Sequence, residues 1–389
     1  MHIIHRHIIL EVLFCAHTIG YELPLIYFDK YKTHYYLKST DNQSQQMANL
    51  IHINQRRTAV AKWLFFCCAM VFSMVILGGV TRLTGSGLSM VDWRPIMGII
   101  PPIGIDQWQL TFEMYKQSPE FIVKNYNMDL EGFKGIFWLE YLHRVLGRLI
   151  GIVFFVPMLY FMIRGYIQKY EIPKYLLMLI LGGMQGLLGW YMVQSGLVNN
   201  PAVSQYRLTA HLSSAFLIYG FMFWVALSLI YPDREKPSKW SKITFGLTML
   251  IVLTIISGGF VAGLKAGKVF NTYPMMGNYW VPPGIFSLEP FWINFFENIV
   301  TVQLVHRILT AITFATIIVY WLRLRKVDTS IRVKKGTNAI LHTATLQFVL
   351  GVTTLIFYVP ISLAAAHQAT ALLLLTVALY LCHAHARGQ

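Results

Sequence analysis

Four histidines stand inside apolar stretches of this chain, and they fall into two matched pairs. His143 lies in Glu140-Tyr-Leu-His143-Arg144 and His306 in Gln303-Leu-Val-His306-Arg307; His211 lies in Leu-Thr-Ala-His211-Leu-Ser and His367 in Ala-Ala-Ala-His367-Gln-Ala. A histidine in lipid is costly and usually functional. Two helices that each offer one inward imidazole can hold a haem iron between them. Two such pairs therefore predict two haem positions, each iron six-coordinate with a neutral imidazole on either face. A lone helical histidine is more often a satisfied core or interfacial residue, and His342 and His383, near the ends of their stretches, are read that way. The quartet differs because its members match in order and in depth. Zinc would want a third His or Cys beside one pair, and none is evident in the sequence.

The surroundings of the two pairs are not equal. Glu140 stands one turn before His143 on the same helical face, whereas the equivalent position before His306 is Gln303. A carboxylate at one site and an amide at the other imply different tasks: proton or oxidation chemistry at the first, haem retention at the second. The competing structural reading pairs Glu140 with Arg144 or Arg148. Arg144 and Arg307 follow the histidines directly, and Arg82 and Lys268 open external loops. They suit haem propionates, which arginine binds bidentately, or anchoring at the interface. The pairs Gly78-Gly79, Gly182-Gly183 and Gly258-Gly259 are expected to permit close helix or haem approach. Trp93, Trp108, Trp138 and Trp280 fit an interfacial belt.

The elements that must position these groups are membrane helices. The 389 residues are 56% hydrophobic and only 13% charged, about half the charged share of a soluble chain. Spans are expected near 62–80, 138–160, 175–195, 206–230, 243–263, 299–322, 338–358 and 361–383. The net charge of +15 is not a nucleic-acid signature: Arg164, Lys169 and Lys174, then Lys239 and Lys242, then Arg323, Arg325 and Lys326 gather in alternate loops. The positive-inside rule then places both termini in the cytoplasm. An internal repeat is legible: Gly78-Gly79 against Gly258-Gly259, Pro101-Pro102 against Pro282-Pro283, the two His-Arg helices, and Gln185-Gly-Leu-Leu-Gly189 against Gln347-Phe-Val-Leu-Gly351. Four spans per half make the repeats parallel. The expected fold is an all-α polytopic membrane protein of eight helices in two four-helix bundles, 58–232 and 233–389, after a cytoplasmic tail at 1–57. All four histidines should lie within about two turns of the outer ends of their spans, under the long loops. Cys15, Cys67, Cys68 and Cys382 form no CxxC or CxxCH, so covalent haem attachment is unsupported.

At these residues the chain resembles the haem A synthase family. The matching text is Gly78-Gly-Val-Thr-Arg-Leu-Thr-Gly-Ser-Gly-Leu-Ser-Met-Val-Asp-Trp-Arg-Pro95, Glu140-Tyr-Leu-His-Arg-Val-Leu-Gly-Arg148, Gly182-Gly-Met-Gln-Gly-Leu-Leu-Gly-Trp190 and Ala266-Gly-Lys-Val-Phe-Asn-Thr-Tyr-Pro274. Tyr273 stands where another aromatic is usual. The external loops lack the paired cysteines of some members, which is similar to the branch shared by proteobacteria and mitochondria. The resemblance implies oxidation of the C8 methyl of haem O to a formyl group, by successive hydroxylation, giving haem A for terminal oxidase. It implies that His143, His211 and Glu140 serve the substrate haem O. It also implies that His306 and His367 hold a permanent haem B with bis-histidine iron; Arg144 and Arg307 are expected as cofactor contacts on the residue reading above. Expected partners are haem O synthase, an unidentified electron donor and membrane lipid, with homo-oligomerisation left open and nucleic acid excluded. The expected location is the bacterial inner membrane rather than the mitochondrial one. The rival readings are a di-haem b-type electron-transfer cytochrome, a secondary transporter and a scaffold without chemistry.

Overall fold

No water reaches the hydrocarbon core to pair a bare N–H or C=O, so a chain this apolar must fold there as helices that close their own hydrogen bonds. The computed structural model describes residues 30–91, 100–197, 201–232 and 237–387. Residues 1–29 of the expected tail, Trp93 and Pro95 lie outside them. The helices are α1 (Lys30–Leu83), α2 (Ile105–Lys116), α3 (Pro119–Val123), α4 (Leu130–Ile163), α5 (Ile172–Gln194) and α6 (Gln205–Ile230). They continue with α7 (Ser241–Gly263), α8 (Asn294–Glu297), α9 (Ile299–Leu324), α10 (Ile331–Ile356) and α11 (Ile361–Ala386). Among the described residues, eight stretches are long and apolar enough to cross a bilayer: Ile51–Leu83 of α1, then α4, Lys169–Gln194 including α5, α6, α7, α9, α10 and α11. Each coincides with an expected span. The chain divides into two units, Met1–Gln55 and Arg56–Gln389; the described part of the first is helical and belongs to α1.

Side chains close the helix ends where sequence provides them. Asn298 accepts from the backbone N–H of Val300 and Thr301 at the start of α9, Ser330 from Val333 at the start of α10, and Asp129 from Gly132 at the start of α4. Each satisfies a donor that the helix itself leaves orphaned.

Four spans precede residue 232 and four follow it, a first and a second set in chain order. In the first, Trp63 of α1 packs at a tilt against Phe154 of α4 with centroids 5.0 Å apart, Cys68 of α1 donates to the Tyr219 carbonyl of α6, and α4–α5 and α5–α6 are in contact. In the second, α7 meets α9, α9 meets α10, α10 meets α11 and α11 returns to α7. The sets join through α6 on α7 and on α11, where Tyr219 and Thr376 share a 2.8 Å hydroxyl–hydroxyl bond. Leu372 and Leu375 of α11 belong to the same buried cluster as Trp63, Phe154 and Tyr219.

A third cluster lies outside the spans. Trp108 and Phe112 of α2, Tyr115, and Phe133 and Phe137 of α4 form a buried aromatic cap, with Tyr115 and Phe133 stacked at 5.0 Å. This corrects the reading of Trp108 as part of an interfacial belt: it is buried among rings, whereas Trp138 and Trp280 are exposed. It also explains why α4 starts at Leu130 rather than near 138. The extra two turns carry Phe133 and Phe137 into the cap, so His143 stands thirteen residues from the helix start. His211, His306 and His367 lie six, seven and six residues from theirs.

Candidate functional site

Each of the four histidines sits against a glycine of the preceding spanning helix. A Cβ built on Gly78 of α1 would lie 3.0 Å from His143 Nε2; on Gly189 of α5, 2.9 Å from His211 Cε1; on Gly258 of α7, 3.2 Å from His306 Cε1; on Gly351 of α10, 2.9 Å from His367 Cε1. These are approaches that only a missing side chain permits. The second glycine of two of the pairs faces the other set of helices. Gly79 would meet the Gln368 amide at 2.9 Å, and Gly259 the Thr209 side chain at 3.0 Å. A Cβ built on Gly182 or Gly183 would meet none of the described residues within 4 Å, and the approach on α5 occurs at Gly189 instead.

His211 lies near His143, and His306 lies near His367. Among the described residues, no three His, Cys, Asp or Glu side chains gather as a metal cage would. The donor set is two imidazoles per site, which suits an iron that draws its other four ligands from a porphyrin.

The two pairs differ in what holds the rings. Ser257 Oγ donates to the Thr254 carbonyl at 2.7 Å and lies 2.8 Å from His306 Nδ1. With its proton on that carbonyl it keeps a lone pair for an Nδ1–H of His306. His367 Nδ1 lies 3.2 Å from the Gln347 carbonyl, which can only accept. The carbonyl holds the His367 ring in the tautomer that leaves Nε2 bare, the form a metal needs, and Ser257 offers His306 an acceptor for the same tautomer. The Gln347 amide reaches His367 Nε2 only at 3.5 Å, the outer limit of a hydrogen bond. In the other pair, His211 Nδ1 is buried without a partner among the described residues. There the matched Gln185 donates at 2.8 Å to the His211 carbonyl and accepts from Ser214. Gln185 with Gly189, and Gln347 with Gly351, each share one face of a helix at i, i+4, and both members of each couple address the same histidine.

Glu140 is buried and its two oxygens are fully engaged. Oε2 accepts from Ser89 Oγ at 2.7 Å and from the Met90 N–H at 2.8 Å; Oε1 accepts from Arg144 Nε at 3.0 Å and Nη2 at 2.5 Å. Arg144 also donates to the Met90 carbonyl at 3.0 Å. Arg307 performs the parallel task in the second set. It donates to the carbonyls of Phe270, Thr272, Pro274 and Met275, while Gln303 donates to Phe270 at 3.1 Å. The residue pairs Glu140/Arg144 and Gln303/Arg307 thus fasten the first turns of the two long loops beside their histidines. Arg82 donates to the Ala262 carbonyl of α7.

Away from the spans, Glu120 of α3 is buried within the cap, accepting from the Tyr115 hydroxyl at 3.3 Å with Lys124 at 4.0 Å. Burial pushes its carboxyl up to about 7, against the pull of Lys124. At the other end of the helices, His383 bonds to Arg332 at 2.9 Å and Ser228 at 3.2 Å, which bears out its reading as a satisfied residue. His385, which the motifs did not single out, is equally buried between Ser238 and Tyr320. Sequence reasoning also passed over Ser257 and Glu120. The signal for Gly189 and Gly351 was present in the repeated Gln-x-x-x-Gly; a lone serine or a loop glutamate carries none.

Comparison with known proteins follows the same outline. A family profile described as "Cytochrome oxidase assembly protein" matches residues 61–379. The heme A synthase of Nitrosomonas eutropha is 48% identical over 334 residues, covering 84% of this chain and 94% of its own. The heme A synthase of Arabidopsis thaliana is 46% identical over 343 residues, 85% of this chain and 75% of its own. The human heme A synthase is 43% identical over 333 residues, 83% and 81% respectively.

Proposed function

Because the chain belongs to the cytochrome oxidase assembly protein family, we propose that it is a multi-pass membrane haem A synthase, oxidising the C8 methyl of haem O to the formyl group of haem A for terminal oxidase. The observation that carries the site assignment is the unequal treatment of two otherwise matched histidine pairs. His306 and His367, with both Nδ1 atoms hydrogen-bonded, are proposed to hold a resident b-type haem. That haem, when bound, supplies reversible one-electron transfer. His143 and His211, whose Nδ1 support is absent at His211, are proposed to receive substrate haem O, which must enter and leave.

Glu140 places a negative charge one turn from His143, and its hydrogen bonds fix that charge in place. Its proposed role is to bias the substrate site electrostatically and to hold the Ser89–Met90 turn over it. Arg144 and Arg307 remain on the cofactor side of the proposal. Each keeps its positive charge one residue from a ligand histidine and secures the loop beside it. The matched contacts of the two sets support parallel repeats, 58–232 around the substrate site and 233–389 around the b-type haem. Both termini are proposed to lie in the cytoplasm, the membrane being a bacterial inner membrane, with the tail 1–57 on that side. Haem O synthase is the proposed supplier of substrate, and a reductant not identified by the sequence takes part; a homo-oligomer is compatible with the lipid-facing helices.

The test is haem extraction from the full chain purified from a host that makes haem O but lacks haem A synthase. Haem B together with haem A or a hydroxylated precursor is expected. Two haem B per chain, with haem O unchanged in the membranes, would favour the di-haem cytochrome instead.

A further inference from the structure

We infer that Ser257 is a positioning residue for the iron ligand His306, and that it sets how tightly the second site retains its haem and at what potential that haem works. The inference rests on the assignment of His306 and His367 as ligands made above.

Three observations on the same side chain carry it. The hydroxyl is 2.8 Å from His306 Nδ1. Because the Thr254 carbonyl, 2.7 Å away, can take its proton, it keeps a lone pair to accept from the Nδ1–H of an imidazole that ligates through Nε2. It immediately precedes Gly258, the residue on which the His306 ring is seated. One turn of α7 therefore fixes the ring twice, the glycine by letting it approach and the serine by fixing its tautomer and rotation. Aligning Gly78-Gly79 on Gly258-Gly259 puts Leu77 at the place of Ser257. Leucine offers no acceptor, so the histidine paired with that turn, His143, lacks this support. The serine is thus specific to the half read as holding a resident group.

Groups that accept from the outer nitrogen of a ligand imidazole raise its basicity and orient it, and their removal commonly lowers metal affinity about 10- to 100-fold. A more basic imidazole favours the ferric state, so losing the acceptor moves the potential upward.

The experiment compares the full chain with Ser257→Ala, Ser257→Thr, Ser257→Val and His306→Ala. Thr and Val have nearly the same shape, so a packing or folding defect would strike both, and only Thr keeps the hydroxyl. Haem release is followed in detergent with excess apomyoglobin as acceptor, and the midpoint potential by spectroelectrochemistry. Ser257→Ala and Ser257→Val should release haem B about tenfold faster or more and show a more positive potential, with Ser257→Thr close to the parent. The inference is overturned if Thr and Val behave alike, or if Ala matches the parent in both release and potential. His306→Ala tests the underlying assignment separately. Haem B retained in that variant would remove the ligand reading itself, whatever the serine variants do.

Discussion

At the scale of residues, the two halves make separable predictions. His306→Ala or His367→Ala should lose most of the low-spin haem B from the purified protein, read in the reduced-minus-oxidised spectrum. Glu140→Gln should retain that haem, because Gln303 is the natural state of the second site, yet haem A formation should fall about 10- to 100-fold with haem O or a hydroxylated product accumulating. Near-normal haem A output would reduce Glu140 to a fastener of the Ser89–Met90 turn. Glu120 predicts a pH dependence of the cap. Its carboxyl is raised to about 7 by burial, so the unfolded chain gives up the proton at lower pH than the folded one. The stabilisation is complete below the unfolded value and is lost as pH rises through about 7. Proteolysis of the 100–129 segment should quicken between pH 5.5 and 7.5, and Glu120→Gln should flatten that rise; an unchanged slope would refute it. The histidine quartet was legible as a candidate because histidine is rare in lipid and repeated at matched places. Ser257 was not, since serine is ordinary in membrane helices and only its distance to Nδ1 distinguishes it.

At the scale of elements, the glycine seats give sharp contrasts within one helix type. Gly351→Ala would press a methyl to 2.9 Å from the His367 ring, an overpacking that costs about 1–3 kcal/mol, and haem B content should drop. Gly182→Ala meets nothing within 4 Å and reproduces the Ala344 found at the matching place on α10, so haem content and activity should stay at the parental level. Equal damage from both substitutions would contradict the seats. The spans themselves were readable from hydropathy alone, since a bilayer imposes their length. The ends were not. The two extra turns at the start of α4 depend on Phe133 and Phe137 meeting Trp108 and Tyr115, a tertiary contact that no local pattern announces. For the same reason Trp108 reads in sequence as a belt residue.

At the scale of the whole molecule, the orientation remains to be measured by labelling. In a cysteine-free background, Ile122→Cys and Trp280→Cys, both at exposed positions, should react with an impermeant maleimide on intact cells, and Lys334→Cys only after the membrane is opened. The opposite pattern would invert the topology. Eight spans were legible in the sequence, but not how the first four meet the last four, because that seam is made by residues that carry no motif: Gly79 on Gln368, Gly259 on Thr209, Tyr219 on Thr376. That seam has a further consequence. Two identical four-helix chains could meet through an equivalent face as a symmetric dimer, each giving the same glycine and receiving the same partner. Symmetry would then force the same residue into both sites, and no specialisation could arise. Joining the halves in one chain lifts that constraint. Glu140 can stand opposite Gln303, and Leu77 opposite Ser257, so the two histidine pairs of a single polypeptide are free to differ.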